Sequence, residues 1–232
     1  MTPASFKHIR PKWFCKKKAF KSFCDALDET PGIDVKVLHD GDGTELLNFI
    51  RLQNLPIIPN KCNAKSNYGS LIETFHMADE AFRNGYESVY FVEDDYLHTD
   101  WALDTIFKGA ETFGLVTGFD HLDRYIRDDD ISFGKEHIAF SRKTNCHWRT
   151  AESTTCTWAC NKDTWYKIRE DVYHYGLQDR NLFRALYNKG IRLWTPIPGV
   201  STTLDYTTFS PGVDWEKINA NVDISIPNCM EY

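Results

Sequence analysis

Long apolar runs are missing from this sequence. No stretch approaches the ~18 consecutive apolar residues that a membrane-spanning helix requires, so no membrane span is expected. Met1 to Lys12 lacks the apolar central region of a secretory leader. Paired cysteine spacing is absent too. The seven cysteines, at 15, 24, 62, 146, 156, 160 and 229, are odd in number and form no Cys-x-x-Cys pair. That pattern excludes a zinc ribbon and a thioredoxin-type centre. Cys156 and Cys160 read as core thiols, and the expectation is a reducing, cytoplasmic setting.

Positive charge is also in deficit: 27 Lys and Arg against 33 Asp and Glu leave −6 at pH 7. A general nucleic-acid binder needs clustered cations, so nucleic acid is not an expected partner. One basic run, Lys16-Lys17-Lys18 with Lys12 and Lys21, breaks the acidity and reads as a solvated helix face. Internal repeats and low-complexity tracts are absent. What is present suits a packed core, since 42% of 232 residues are hydrophobic and 14% aromatic. That is enough for one α/β domain over 1–232.

Hydrophobic periodicity gives the order of elements. Helical spacing runs through Phe14–Leu27, from Thr44 to Leu52, and over Asn67–Asn84 and Asp100–Lys108. Strand-like segments are Ser5–Arg10, Ile33–Leu38, Leu55–Pro59, Ser88–Val92 and Gly114–Phe119. The first ~125 residues thus alternate β and α, the pattern of an α/β layer structure. Ser88–Val92 is unbroken and apolar, which predicts a buried strand in a largely parallel sheet. The second half is expected to be extended over His137–Arg142 and His147–Cys160, helical over Asp179–Lys189, and extended over Ile191–Thr195. Trp148, Trp158 and Trp165 read as core, and His121, His137 and His147 as ordinary surface or core residues.

The Ser88–Val92 strand ends abruptly in Glu93-Asp94-Asp95. In an open α/β sheet, ligands bind beyond the carboxyl ends of strands. Three acids there repel one another and call for a compensating cation, and carboxylates with a diphosphate suit Mg²⁺ or Mn²⁺. The segment resembles the DXD-type motif of GT-A fold glycosyltransferases, with Asp95 as the final, metal-contacting acid and Glu93 in the first acidic place. Their order of elements extends the resemblance from about Phe6 to Trp215.

The resemblance implies a GT-A fold, a Rossmann-like nucleotide-binding half (about 1–125) with a mixed central sheet and a smaller acceptor-binding half (about 126–232). It places Asp40 and Asp42 beside the nucleoside, although Asp-Gly pairs are also turn formers in their own right. Arg10 falls where such enzymes keep base and ribose contacts. Lys65, Asn67 and Ser70 fall at a phosphate-facing loop and helix start. Asn67 and Ser70 could equally cap that helix, and Lys65 could be a surface charge. Asp179, in Gln178-Asp179-Arg180, matches the general base of inverting members and could otherwise be a helix N-cap. Glu152 and Asp123 are the reserves for the base. The late metal ligand is a His in such transferases; with Thr203 near that place here, Asp205 is the candidate beside Asp94 and Asp95.

The implied reaction is transfer of a sugar from a nucleotide-diphosphate sugar, UDP by family frequency, to a hydroxyl of a glycan or glycoconjugate. Two rivals stand: a nucleotidyltransferase acting on sugar phosphates, and a non-catalytic carbohydrate-binding module. The first normally carries a Gly-rich basic loop after its first strand, and Arg10-Pro11-Lys12-Trp13 is not one. The second has no reason to keep three acids at a strand end.

Overall fold

The computed structural model describes residues 10–40, 43–53, 55–64, 66–126, 136–155, 157–205 and 208–224, without the side chains of Asp40 and Leu46. Its elements run α1 (Lys16–Asp28), β1 (Val35–Asp40), α2 (Thr44–Leu52), β2 (Ile57–Cys62), α3 (Asn67–Arg83), β3 (Ser88–Phe91), β4 (Tyr96–His98) and α4 (Ala102–Phe113). The chain continues through β5 (Leu115–Val116), α5 (Asp123–Ile126), β6 (Ile138–Ser141), β7 (Cys146–Ala151), β8 (Trp158–Asn161) and α6 (Lys162–Tyr175). It closes with α7 (Asp179–Asn188), β9 (Leu193–Ile197), β10 (Ser201–Thr203) and α8 (Trp215–Asn221).

The architecture is mixed α/β. A six-stranded sheet has the order β3-β8-β5-β9-β7-β6, beside a parallel β1–β2 pair and an antiparallel β4–β10 pair. The expectation of a largely parallel sheet around Ser88–Val92 is corrected here. β3 pairs antiparallel with β8, and only β5–β9 is a parallel contact within the six strands. The reason is that β8, from the second half of the chain, inserts between β3 and β5 and runs against both. Sheet neighbours satisfy a strand's backbone hydrogen bonds whichever way they run, so an apolar sequence does not fix their direction.

Burial on those faces comes from helices. One core cluster joins Phe75, Ala78 and Phe82 of α3, Phe91 of β3, Trp165 and Ile168 of α6, and Leu182 and Leu186 of α7. A second joins α1 to β1, β2 and α4 through Phe23, Leu27, Val35, Ile57 and Leu103. Trp148, Trp158 and Trp165 are all buried, as expected for core residues. Helix α6 was not expected, yet Trp165, Ile168 and Val172 sit on one helical stripe. Asn161 caps it by accepting from the Thr164 amide at 2.9 Å. No helix among the described residues is long and apolar enough to cross a membrane.

Candidate active site

Because β3 and β5 both run against β8, they are parallel to each other. Their C-terminal ends therefore open on one edge of the sheet. The residues after β3 (Glu93, Asp94, Asp95) and after β5 (Phe119, His121) line the same cleft. His39, Gly43, Thr44 and Glu45, at the β1–α2 corner, line it too, with Asn67 and Ser70 at the start of α3, Thr203 at the end of β10, and Asp205 and Thr208 beyond it. The sequence-based candidates from three separate regions are thus brought to one concavity.

The acid cluster is held from two sides. Behind it, β4 pairs antiparallel with β10, and the Leu204 amide donates to the Asp95 carbonyl at 3.2 Å. That register carries Asp205, itself buried, alongside the acidic segment. In front, the chain supplies cations. Arg10 Nη2 donates to Asp95 Oδ2 at 2.6 Å, and its Nη1 donates to the Leu204 carbonyl at 2.8 Å. Lys16 Nζ contacts both oxygens of Asp94, at 2.9 and 2.8 Å. Asp95 Oδ1 is buried and has no hydrogen-bond partner.

Glu93 reaches solvent along the cleft, yet it is flanked by enough protein to lose much of its hydration. That desolvation, together with the negative charges of Asp95, Asp179 and Asp94, raises its pKa to about 7, against the opposing pull of Lys16. The influence of Asp179 is informative. It shows that the first turn of α7 stands near the acid cluster, although Leu177 rather than Asp179 lines the cleft. The N-cap of α7 is Gln178, without a side-chain capping bond, so Asp179 is the first helical residue and not the cap. Gln178 Oε1 instead accepts from Asn181 Nδ2 at 2.8 Å.

Several expectations are revised. Arg10 is not in a strand; it is an ion-pair partner of the acids. The lysine run is not merely solvated: Lys16 pairs with Asp94, Lys17 with Glu45 and Lys21 with Asp25, and Lys18 donates to the Asn219 carbonyl. Ser66, not Asn67 or Ser70, caps α3, accepting from the Gly69 amide at 3.1 Å. The Ser70 hydroxyl donates to the carbonyls of Ser66 and Asn67. Helix α2 begins at Thr44 as expected, but its N-cap is Gly43, with a φ of 63° that suits glycine, and not Thr44. Asp42, Lys65 and the Asp40 side chain lie outside the described residues; the Asp40 backbone ends β1.

Neither reserve base lines the cleft. Asp123 instead stands 2.7 Å from His121 Nδ1, and its amide donates to the same nitrogen at 3.0 Å. His121, read from sequence as ordinary, is the cleft residue of that pair. Cys15 is disulfide-bonded, a pairing that the odd number and irregular spacing of the cysteines did not announce.

Two further residues were not expected from sequence: His39 lines the cleft, and Asp120 lies buried outside its lining. His39 is buried at the end of β1 with Nδ1 unpartnered. A Cβ on Gly43 would fall 2.4 Å from that nitrogen, so a glycine is needed there. Asp120, completely buried, accepts from Arg149 Nε at 3.1 Å and Nη2 at 2.6 Å, and from the Tyr125 hydroxyl at 2.5 Å. This buried ion cluster fixes the loop between β5 and α5, and with it Phe119 and His121. An isolated Asp in a Gly-Phe-Asp-His stretch gives no sequence signal for such a role.

Among the described residues, no three His, Cys, Asp or Glu side chains converge as a ready metal site. The donor chemistry still fits a hard divalent cation at Asp95, because Oδ1 is an orphaned carboxylate oxygen at the strand end and a diphosphate would contribute further oxygens. No protein-family model matches this chain, and no curated protein matches it.

Proposed function

We propose that the chain is a metal-dependent glycosyltransferase of GT-A type, moving a sugar from a nucleotide-diphosphate sugar, with UDP as the first nucleotide to test, to a hydroxyl of a glycan or glycoconjugate. The observation that carries this reading is Asp95 Oδ1, buried and unpartnered at the head of a cleft on the C-terminal edge of the sheet. An unsatisfied buried carboxylate oxygen is costly unless a ligand completes it. A bound Mn²⁺ or Mg²⁺ would neutralise charge on the departing nucleoside diphosphate.

The residues divide by position. Asp95 through Oδ1, with Asp94 and Asp205 alongside, would hold the cation. The β1–α2 corner, including Asp40, Asp42, His39 and Gly43, would receive the nucleoside, and the start of α3, with Lys65, Asn67 and Ser70, would face phosphate. Asp179 is our candidate for taking the proton from the acceptor hydroxyl as its oxygen attacks the anomeric carbon. Single displacement with such a base inverts the anomeric centre. The donor half corresponds to about 1–125 and the acceptor half to about 126–232, within one domain.

The test is hydrolysis of a panel of nucleotide sugars with and without Mn²⁺, followed by transfer to glycan acceptors. Release of nucleoside diphosphate that depends on Mn²⁺ and on the sugar supports the proposal. Turnover of sugar phosphates with nucleoside triphosphates, or glycan binding without turnover, would replace it with one of the rivals.

A further inference from the structure

The repulsion among Glu93, Asp94 and Asp95 calls for positive charge, and the chain itself provides two such groups. Arg10 lies 2.6 Å from Asp95, and Lys16 lies 2.8 Å from Asp94. We propose that Arg10 and Lys16 are exchangeable counterions: a divalent cation takes the carboxylates from them, and the released guanidinium and ammonium groups bind the diphosphate of the donor. This inference rests on the metal-dependent reading above and adds to it two diphosphate-binding residues, one of them expected at the nucleoside.

The contacts are built for exchange. The Lys16–Asp94 pair is open to water, with 52% and 65% of the two side chains exposed. Little desolvation therefore opposes its parting. Arg10 uses only Oδ2 of Asp95 and turns Nη1 to the Leu204 carbonyl. A bidentate fork would have satisfied both carboxylate oxygens. The single contact leaves Oδ1 without a partner, so a cation that displaces Arg10 gains both oxygens of the carboxylate.

Charge balance gives the order of events. Asp94 and Asp95 carry −2 against +2 on Arg10 and Lys16, and Glu93 adds at most one more negative charge, so the sum is no higher than zero. An arriving divalent cation raises that sum by two and makes it positive. The same patch then attracts an anion where before it did not. Diphosphate binding therefore follows metal binding, and Lys16, which already lines the cleft, is placed to meet it.

Isothermal titration calorimetry with Mn²⁺ alone, and with inorganic pyrophosphate in the presence and absence of Mn²⁺, tests this on the full chain. Lys16→Gln should bind Mn²⁺ about three- to fivefold more tightly than the unmodified chain, the scale of one exposed ion pair. The same variant should bind pyrophosphate more weakly by a similar factor when Mn²⁺ is present. Arg10→Gln should shift both affinities in the same directions. A melting curve accompanies it, because Arg10 also ties down Leu204; should that variant unfold, the exposed Lys16 carries the test. If the unmodified chain binds Mn²⁺ and Lys16→Gln changes neither affinity, the exchange is overturned while the metal reading stands. If neither protein binds Mn²⁺, both are overturned.

Discussion

Asp179, at the start of α7, stands near enough to Glu93, at the end of β3, for its charge to raise the Glu93 pKa. Two acidic segments far apart in sequence thus share one electrostatic environment. β8 is the element that makes this possible: it carries the chain back across the sheet between β3 and β5, and α6 and α7 follow it. Topology thereby brings the start of α7 to the end of β3.

Asp95→Asn should abolish Mn²⁺-dependent nucleotide-sugar turnover while leaving the fold intact. The substitution keeps the size of the side chain and an acceptor for Arg10, but it removes the carboxylate whose Oδ1 is buried and unpartnered. The checks are turnover with saturating Mn²⁺ and far-ultraviolet circular dichroism. Undiminished metal-dependent turnover in a folded variant would move the metal away from Asp95.

Gly109→Ala should destabilise the protein, although alanine is by far the better helix former. Gly109 lies on α4, where a Cβ would fall 2.2 Å from Cη2 of Trp148, a side chain with no exposed surface. Helix propensity favours alanine by about 1 kcal/mol, whereas overpacking a closed core costs about 1–3 kcal/mol. A net loss of about 1 kcal/mol is expected from urea denaturation. A gain in stability would show that Trp148 can move aside.

His98 should make stability fall between pH 6.5 and 4. Its burial lowers the pKa from 6.5 to about 4, a shift only partly offset by its hydrogen bond to the Tyr96 carbonyl. The folded protein keeps the imidazole neutral, its ring nitrogens meeting the Tyr96 carbonyl and the Tyr90 hydroxyl. An unfolded histidine takes up a proton near pH 6.5, so acid favours unfolding from that pH downward. The contribution is nil above pH 7 and reaches about 3 kcal/mol of lost stability near pH 4, at ~1.4 kcal/mol per pKa unit. Asp79 acts in a lower window. Burial raises its pKa, but bonds from Arg169, Trp165 and Tyr173 outweigh that and hold it at about 2. Its contribution is present above pH 3.8 and disappears as pH falls through 2. Urea midpoints at pH 7.5, 5.5 and 4.5, compared with those of His98→Gln, check the assignment. An equal slope in both proteins would refute it.

Periodicity and punctuation made most of the first half legible. The 3.6-residue stripe of Phe14–Leu27 became α1, and the apolar run Ser88–Val92 became β3, one residue shorter. The burial of the three tryptophans followed from hydrophobicity alone. What stayed hidden depends on contacts between distant residues. The antiparallel entry of β8 could not be seen from β3, because an apolar strand looks the same beside either kind of neighbour. The partners of Lys16 and Arg10 were hidden for the same reason, since a lysine run carries no record of the carboxylate it will meet. Helix α6 was a different kind of miss: Trp165, Ile168 and Val172 had the right spacing and lay in plain view. The acid cluster announced itself because three carboxylates after an apolar strand are rare, whereas Asp120 and its arginines are ordinary residues until they are buried together.

Asp179→Asn is the most exposed of these expectations. If Asp179 takes the acceptor proton, the variant should keep its affinity for Mn²⁺ and nucleoside diphosphate, while transfer falls by ~10² or more. The loss should appear in kcat, as for an interaction made only in the transition state. Stability should change little. Gln178 is the N-cap, so no capping bond is lost, and replacing a first-turn acid costs about 0.3–1 kcal/mol through the helix dipole. The pKa of Glu93 should move down, because one of the negative charges that raise it is gone. Transfer rate, melting temperature and the titration of Glu93 therefore report separate things. A folded variant with a lowered Glu93 pKa and full transfer activity would show that Asp179 is a neighbour of the site and not its base. The search would then turn to His121, which lines the cleft with Asp123 against its Nδ1.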